Sequence, residues 1–318
     1  MIGQLVDYLL TERDVDPNRV LYLTTEASAL QTGDDSLVST VLEVYEHHFL
    51  GTSFQHLEDT VYVVIDEIQK AAGWDETLKF YVDTCPELTF VVTGSVSTLI
   101  QEDASETLVG RVQRQTVVPF KFSDVARYHG ELDEVEGRLE SRELRESLAQ
   151  SLYDDDSEEF ETALNHALGS LSGVEPALRS RLDEYLVKGG YPGVLTHDPA
   201  DALYRLDEDL QRVVTGDLTT TFSVGKPDTA FEILQYFAES TGSKVSINKI
   251  SNETGASRQT VENYVDYLEQ FFLVYRSPHY TGSAKPGRKQ PMAYVDDVGH
   301  LNALRGVSPD ATTASEDR

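Results

Sequence analysis

Short apolar runs alternate with helically spaced apolar positions through the first 120 residues. Residues 1–13 (MIGQLVDYLLTER) place Ile2, Leu5, Val6, Leu9 and Leu10 on one helical stripe, with no capping residue in front of it. After a turn at 16–18, residues 20–23 (VLYL) read as a short buried strand ending in Thr24, Thr25 and Glu26. Helical material at 37–49 leads to VYVVIDEIQ at 61–69, whose β-branched and aromatic run reads as a strand covered on both faces. Residues 69–84 predict a helix with Trp74, Leu78, Tyr81 and Val82 on one face, and residues 88–92 (LTFVV) another buried strand. Residues 116–120 (TVVPF) predict a fourth strand, broken by Pro119 as suits an edge or a strand end. Strands alternating with helices at this spacing predict an α/β fold with a parallel sheet and right-handed crossovers.

The second half reads differently. Residues 131–165 are acidic and helical and include Asp154, Asp155, Asp156, Glu158 and Glu159. Hard oxygen ligands of this kind suit Mg²⁺ or Ca²⁺, but clustered acids without Gly turns read first as a solvated surface insertion. Residues 182–195 (LDEYLVKGGYPGVL) give a helix end and a Gly/Pro turn with no chemistry of its own. Then follow an amphipathic helix at 229–240, a second helix at 248–253, a turn at Thr254–Gly255–Ala256 and a third helix at 257–270 capped by Ser257. Strands at 271–276 and 291–295 flank a Gly/Pro-containing connector. Helix, helix-turn-helix and hairpin predict a winged helix. In such a module Arg258, Gln259, Thr260 and Asn263 would face a major groove. Residues 276–289 hold Arg276, Lys285, Arg288 and Lys289 and no acid, which favours a wing touching phosphates. Glu262, Asp266 and Glu269 on the same helix argue the other way, toward a protein-packing module.

Charge sharpens that tension. The 318 residues carry 55 Asp+Glu against 26 Lys+Arg, a formal net charge of −29, so nucleic acid is repelled except where cations concentrate. The acids are spread along the chain, as on proteins solvated in a very salty cytoplasm, where salt screens self-repulsion. The single cysteine, Cys85, excludes an intramolecular disulfide and a Cys-rich zinc site, and it reads as a structural thiol in a reducing, cytoplasmic setting. No 18-residue apolar run and no secretory-type leader is present, so a membrane is not an expected partner.

The chemistry concentrates at the end of VYVVIDE. Two carboxylates there would sit at the carboxyl edge of the sheet, where open α/β sheets bind ligands. Asp66 can hold Mg²⁺, directly or through water, and Glu67 can polarise the water that attacks a γ-phosphate. The plainer alternative is a buried strand whose first solvated residues are acidic. Thr93 or Ser95, ending the next strand, would bring a hydroxyl beside them that can sense a γ-phosphate, although Thr-Gly-Ser is also ordinary turn chemistry. Arg111 and Arg114 can reach a phosphate, in cis or across a subunit boundary, or pair with neighbouring acids.

The ordered series VYVVIDEIQ, FVVTGS, LVGRV and VVPFKFSDV resembles the prokaryotic AAA-type ATPases that carry a C-terminal winged helix and a nuclease-like region, the DUF4143-containing ATP-binding proteins. The resemblance covers residues 1–303. It implies a P-loop NTPase-like sheet, Mg-ATP as ligand, Asp66 and Glu67 as the Walker B pair with Asp66 on the metal, Thr93 to Ser95 as a sensor turn, and Arg111 as a conformational or phosphate-contacting arginine. The departure is the loop GxxxxGK[ST], whose amides, Lys and hydroxyl hold phosphates and Mg²⁺. That string does not occur, and the nearest sequence, 282–289 (GSAKPGRK), has Arg288 in place of the Lys and lies far downstream. In that family the loop directly precedes the helix that residues 1–10 resemble. The chain is therefore expected to start just after its own phosphate-binding loop, as a shortened product or one with a misassigned start. It is expected to lack the preceding strand, to leave a central gap in the sheet, and to bind ATP weakly.

The expected organisation is an ATPase-like core at 1–128, an acidic helical insertion and linker at 129–225, a winged helix at 226–298, and a remnant of the nuclease-like domain with a disordered tail at 299–318. Residues 294–301 (YVDDVGHL) resemble the start of that last region. Two functions follow: an ATPase coupling nucleotide state to a winged helix, or a non-enzymatic winged-helix protein binding DNA or a protein partner through residues including Arg258, Gln259, Asn263, Arg288 and Lys289.

Overall fold

A computed structural model describes residues 2–25, 37–94, 108, 110–133, 142–278 and 290–307. The chain forms two compact units, residues 1–116 and 117–318.

In the first unit, β1 (Val20–Thr24), β2 (Val61–Asp66) and β3 (Leu88–Val92) form a parallel sheet in the order β1-β2-β3. The helices are α1 (Ile2–Thr11), α2 (Leu37–Val44) and α3 (Trp74–Thr84), with α2 running into a π-helical turn at Tyr45–Leu50. The architecture is mixed α/β, as the alternating pattern predicts. Strand β2 is the middle one, in register with Leu21–Val63 on one side and Val63–Phe90 on the other. Its Val61, Val63 and Ile65 are completely buried and pack with Leu42, Phe54, Ile68, Trp74 and Leu78 in one core. Burying each such side chain contributes about 1.5–3 kcal/mol, so this strand anchors the unit.

Several sequence expectations need correction here. The described strands form one continuous ladder in which β1 and β3 each keep an edge that pairs with no described strand. Strands β1 and β3 are only half-buried, with Tyr22 50% exposed, because each is paired on one side among the described residues. Residues 116–120 form no strand: Pro119 has no N–H to donate, Val117 and Val118 are 60% and 50% exposed, and the Phe120 N–H bonds the Gly190 carbonyl (2.8 Å). The helix expected from 69 starts at Trp74, after a 3₁₀ turn at Ile68–Lys70 and Gly73 at φ +64°. Ser95, a candidate site residue, lies outside the described residues.

The second unit opens with α4 (Phe122–Tyr128), α5 (Arg142–Tyr153), α6 (Ser157–Ser170), α7 (Glu175–Lys188) and α8 (Pro199–Arg212). Asp156, from the acidic cluster, caps α6 by accepting the Glu158 and Glu159 N–H groups. A core follows from α9 (Pro227–Glu239), α10 (Ile247–Thr254) and α11 (Arg258–Gln270), with β4 (Ser243–Lys244), β5 (Val274–Ser277) and β6 (Met292–Val295) in an antiparallel sheet ordered β4-β6-β5. Ile233, Leu234, Phe237, Ile250, Val261, Val265, Leu268 and Ala293 are completely buried in it. Strand β5 starts three residues later than expected, because the chain turns at Phe272 (φ +55°).

The GGYP and DDVGH strings, which the sequence left without a shared role, interlock. Asp297 is 6% exposed and accepts N–H bonds from Gly190 (2.9 Å) and Gly299 (2.7 Å), capping α12 (Val298–Leu304). A Cβ on Gly190 would sit 1.9 Å from the Phe120 carbonyl oxygen, and one on Gly299 2.1 Å from that of Lys188. Only glycine lets these backbones approach so closely. Helix α12 packs against α7 and α8, so this segment belongs to the second unit's own packing.

His300 packs against Tyr191, the rings tilted at 39° with centroids 4.2 Å apart, and is 4% exposed. Burial pushes its imidazole down from 6.5 to about 4. Between those values the unfolded chain takes up a proton that the folded unit refuses, so stability is fully present above pH 6.5 and falls as pH drops toward 4. The loss from this group is about 3 kcal/mol. Burial raises Asp297 despite its N–H donors, so its contribution grows as pH falls. Urea midpoints of the wild type should therefore fall more steeply on acidification than those of His300→Gln. Equal slopes would remove His300 as the source.

Candidate functional site

Asp66 is the last residue of β2, so its backbone is fixed by pairing on both sides before the chain leaves the sheet. The flanking strands reach it with hydroxyls. From β3's end, Thr93 Oγ1 donates to Asp66 Oδ1 (2.5 Å), while the Thr93 N–H bonds the Ile65 carbonyl (2.9 Å) and the Thr93 carbonyl accepts from the Ile68 N–H (3.0 Å). From β1's end, the Thr25 N–H donates to the Asp66 carbonyl (3.1 Å), and the buried Thr25 hydroxyl donates to the Glu67 carbonyl. The Tyr22 hydroxyl lies 3.5 Å from Asp66 Oδ2.

Glu67 occupies the left-handed region (φ 57°, ψ 42°), a conformation that costs a non-glycine residue about 1 kcal/mol. Its carboxylate accepts from Gln69 Nε2 (2.7 Å), with Lys70 Nζ 3.7 Å away. The two acids thus differ in environment. Asp66 is bonded by a hydroxyl across the sheet, and Glu67 is held by neighbours on its own turn.

Of the candidates from sequence, the structure brings Asp66, Glu67 and Thr93 together. The Thr93 hydroxyl, expected to face a phosphate, is committed to Asp66. Arg111 lies elsewhere in the unit: it forms a bidentate pair with Asp83 on α3 (2.6 and 3.0 Å), and its guanidinium holds that carboxyl below the usual range. This is the acid-pairing alternative of the two readings of Arg111. Thr25, Tyr22 and Gln69 received no role from sequence, because a hydroxyl's partner across a sheet follows from register, which only the fold supplies.

Among the described residues, the cations expected at a nucleic acid, Arg258 and Arg276, are paired. Arg258 bonds Glu262 (3.1 Å), Gln259 bonds Asn263 (2.9 Å), and Arg276 is held by Asp266 (2.6 Å) and Glu269. Residues 276–289 contain no acid, yet the acids that neutralise Arg276 come from α11. Arg288 and Lys289 lie outside the described residues. Among the described residues no group of three His, Cys, Asp or Glu can hold a metal ion by itself, and no helix is long and apolar enough to cross a membrane.

Residues 2–126 match the AAA domain family. This stretch, which contains the whole β1-β2-β3 sheet and its carboxylate end, is AAA ATPase-like. Residues 179–311 match a domain of unknown function, DUF8612, in place of the DUF4143 region expected there. An uncharacterised protein of Methanocaldococcus jannaschii is 25% identical over 296 residues, which is 91% of this chain and 56% of that protein. One from Haemophilus influenzae is 23% identical over 290 residues, 88% of this chain and 59% of that protein. The chain thus spans somewhat over half the length of these curated relatives. The Walker-type ATPase of Pyrococcus abyssi superposes over 95% of this chain and 87% of its own, at 16% identity and a TM-score of 0.48, a likeness too low to carry weight.

The Thr93–Asp66 bond is open to a direct check. Thr93→Val leaves a half-buried carboxylate oxygen without its donor and should cost about 1–2 kcal/mol in chemical denaturation, with Thr93→Ser within about 0.5 kcal/mol of wild type. A loss in Thr93→Ser with none in Thr93→Val would mean that the methyl group, rather than the hydroxyl, matters.

Proposed function

We propose that the chain is an AAA-type ATPase module in which Asp66 and Glu67 are the metal- and water-handling carboxylates of a nucleotide site. The observation that carries this reading is the position of Asp66 at the carboxyl end of the doubly paired central strand, bonded by Thr93 from the neighbouring strand. A ligand edge of a parallel sheet is the expected place for such chemistry.

The residues present fit Mg²⁺ of one kind. A single carboxylate with hydroxyls around it suits an ion that keeps several waters and takes substrate phosphates as its other ligands, and it does not suit an ion caged by protein alone. Asp66 would hold the ion, directly or through water, and the ion would neutralise charge on the phosphates. Glu67 would orient and polarise the attacking water, with Gln69 and Lys70 setting the direction of its carboxylate. Phosphate gripping is a separate matter, since no GxxxxGK[ST] string occurs in the 318 residues. Tight nucleotide binding is therefore not expected of this chain's own residues.

The arrangement α9, β4, α10, α11, β5, β6 supports reading residues 226–298 as a winged helix, with 1–128 as the ATPase-like core and 129–225 as an acidic linker between them. The non-enzymatic alternative, a winged helix on DNA, has the pairing of Arg258 and Arg276 against it. An electrophoretic shift that charge reversal at Arg258 abolishes would favour it.

Calorimetry with Mg-ATP tests the main reading. Binding weaker than about 1 mM is expected, since an affinity of that order leaves only about 4 kcal/mol of binding free energy for contacts outside a phosphate loop. Micromolar binding that Asp66→Ala abolishes would show that the chain grips phosphate by other residues.

A further inference from the structure

We infer that Thr25 is a positioning residue for the carboxylate pair: its buried hydroxyl holds Glu67 in the left-handed turn that ends the central strand. This rests on the reading of Asp66 and Glu67 as a metal- and water-handling pair.

The geometry of a parallel ladder carries the inference. Successive carbonyls of a strand point alternately toward its two neighbours. On β2 the Ile65 carbonyl points to β3, where it accepts from the Thr93 N–H (2.9 Å), and the Asp66 carbonyl points to β1, where it accepts from the Thr25 N–H (3.1 Å). An extended Glu67 would next send its carbonyl toward β3. Instead, with φ 57° and ψ 42°, Glu67 turns its carbonyl back to the β1 side, where it accepts from the Thr25 hydroxyl. That bond exists only in the turned conformation. The same hydroxyl also lies 3.2 Å from the Asp66 carbonyl, so it spans the last ladder position and the turn, and it is its bond to Glu67 that favours the left-handed state over the extended one.

The balance is close enough for one hydroxyl to decide it. The strain of a left-handed glutamate and the net worth of one hydrogen bond are of similar size. Thr25 is 1% exposed, so water cannot readily take over when the hydroxyl is removed. The turn also has a directional consequence. It places Ile68 so that its N–H reaches the Thr93 carbonyl (3.0 Å), and it puts Glu67 where Gln69 and Lys70 meet its carboxylate. Two threonines therefore grip the strand end from opposite sides: Thr93 holds the Asp66 side chain, and Thr25 holds the Glu67 backbone. Partners of this kind, one step out from a metal ligand, fix its orientation.

The test is residue-resolved NMR on the full chain, with Mn²⁺ as the probe, for the wild type, Thr25→Val and Thr25→Ser. A positive φ at Glu67 gives a strong intraresidue HN–Hα cross-peak. In Thr25→Val that peak should weaken while the spectrum of the rest of the unit is kept, and the Mn²⁺ concentration that half-broadens the Asp66 and Glu67 amides should rise roughly tenfold. Thr25→Ser, which keeps the hydroxyl, should stay within about twofold of wild type on the same scale. A Glu67 cross-peak unchanged in Thr25→Val, or Thr25→Ser behaving like Thr25→Val, would overturn the assignment. Should Thr25→Val fail to fold, adding Glu67→Gly must restore folding, because glycine enters the left-handed region without strain; no rescue would overturn it equally. Mn²⁺ that broadens neither amide in the wild type would sink the metal reading alone, and the cross-peak series would still decide the role of Thr25.

Discussion

The double pairing of β2 is the constraint on which the first unit depends. A strand bonded on both edges, with Val61, Val63 and Ile65 completely buried, has no freedom to slide or tilt. Its end is therefore the most precisely placed point of the sheet, and it is there that the chain puts Asp66 and Glu67. The surrounding polar atoms are organised by the same ladder. Thr25 and Thr93 are the residues that follow the last paired positions of β1 and β3, so parallel register delivers both hydroxyls to the same place. A strained glutamate can persist there because the bonds from Thr25 and Thr93 on either side over-determine the strand end.

Much of this was legible in the sequence. Uninterrupted apolar runs located the three described strands of the first unit to within a residue, since burial on both faces leaves a compositional mark that needs no knowledge of partners. Asp66, Glu67 and Thr93 were legible as a group because each ends such a run. Residues 116–120 show the limit of the same signal. A β-branched run records what a segment tolerates, and pairing depends on a neighbouring strand that the run itself does not specify. The roles of Thr25 and Gln69 were invisible for a related reason: a hydroxyl or amide becomes a positioning group only through the register or turn that aims it.

In the second unit the informative residues were glycines and acids read without their partners. Gly190 read as part of an ordinary turn and Gly299 received no role, yet each sits where a Cβ would collide with a distant backbone carbonyl, and Asp297 ties the two segments together. Net charge misled in the opposite direction. An acid-free run in a chain of charge −29 suggests free cations, but charge balance is struck in space, and α11 supplies Asp266 and Glu269 to Arg276. Arg258 on α11 and Arg276 on β5 are both met by acids of α11, which weakens the case for nucleic acid and leaves the carboxylate end of β2 as the site with the clearest chemistry.

The central claim is that Asp66 is the metal-holding residue of a nucleotide site whose phosphate grip is not supplied by this chain's own motifs. The most direct measurement is a crystal structure with Mn²⁺ and ATP and its anomalous difference map. The account predicts manganese in contact with Asp66, directly or through one water, with its remaining positions filled by water or phosphate oxygens and no loop of this chain wrapped around the triphosphate. Manganese bound away from Asp66, or a triphosphate enclosed by backbone amides of these 318 residues, would contradict it.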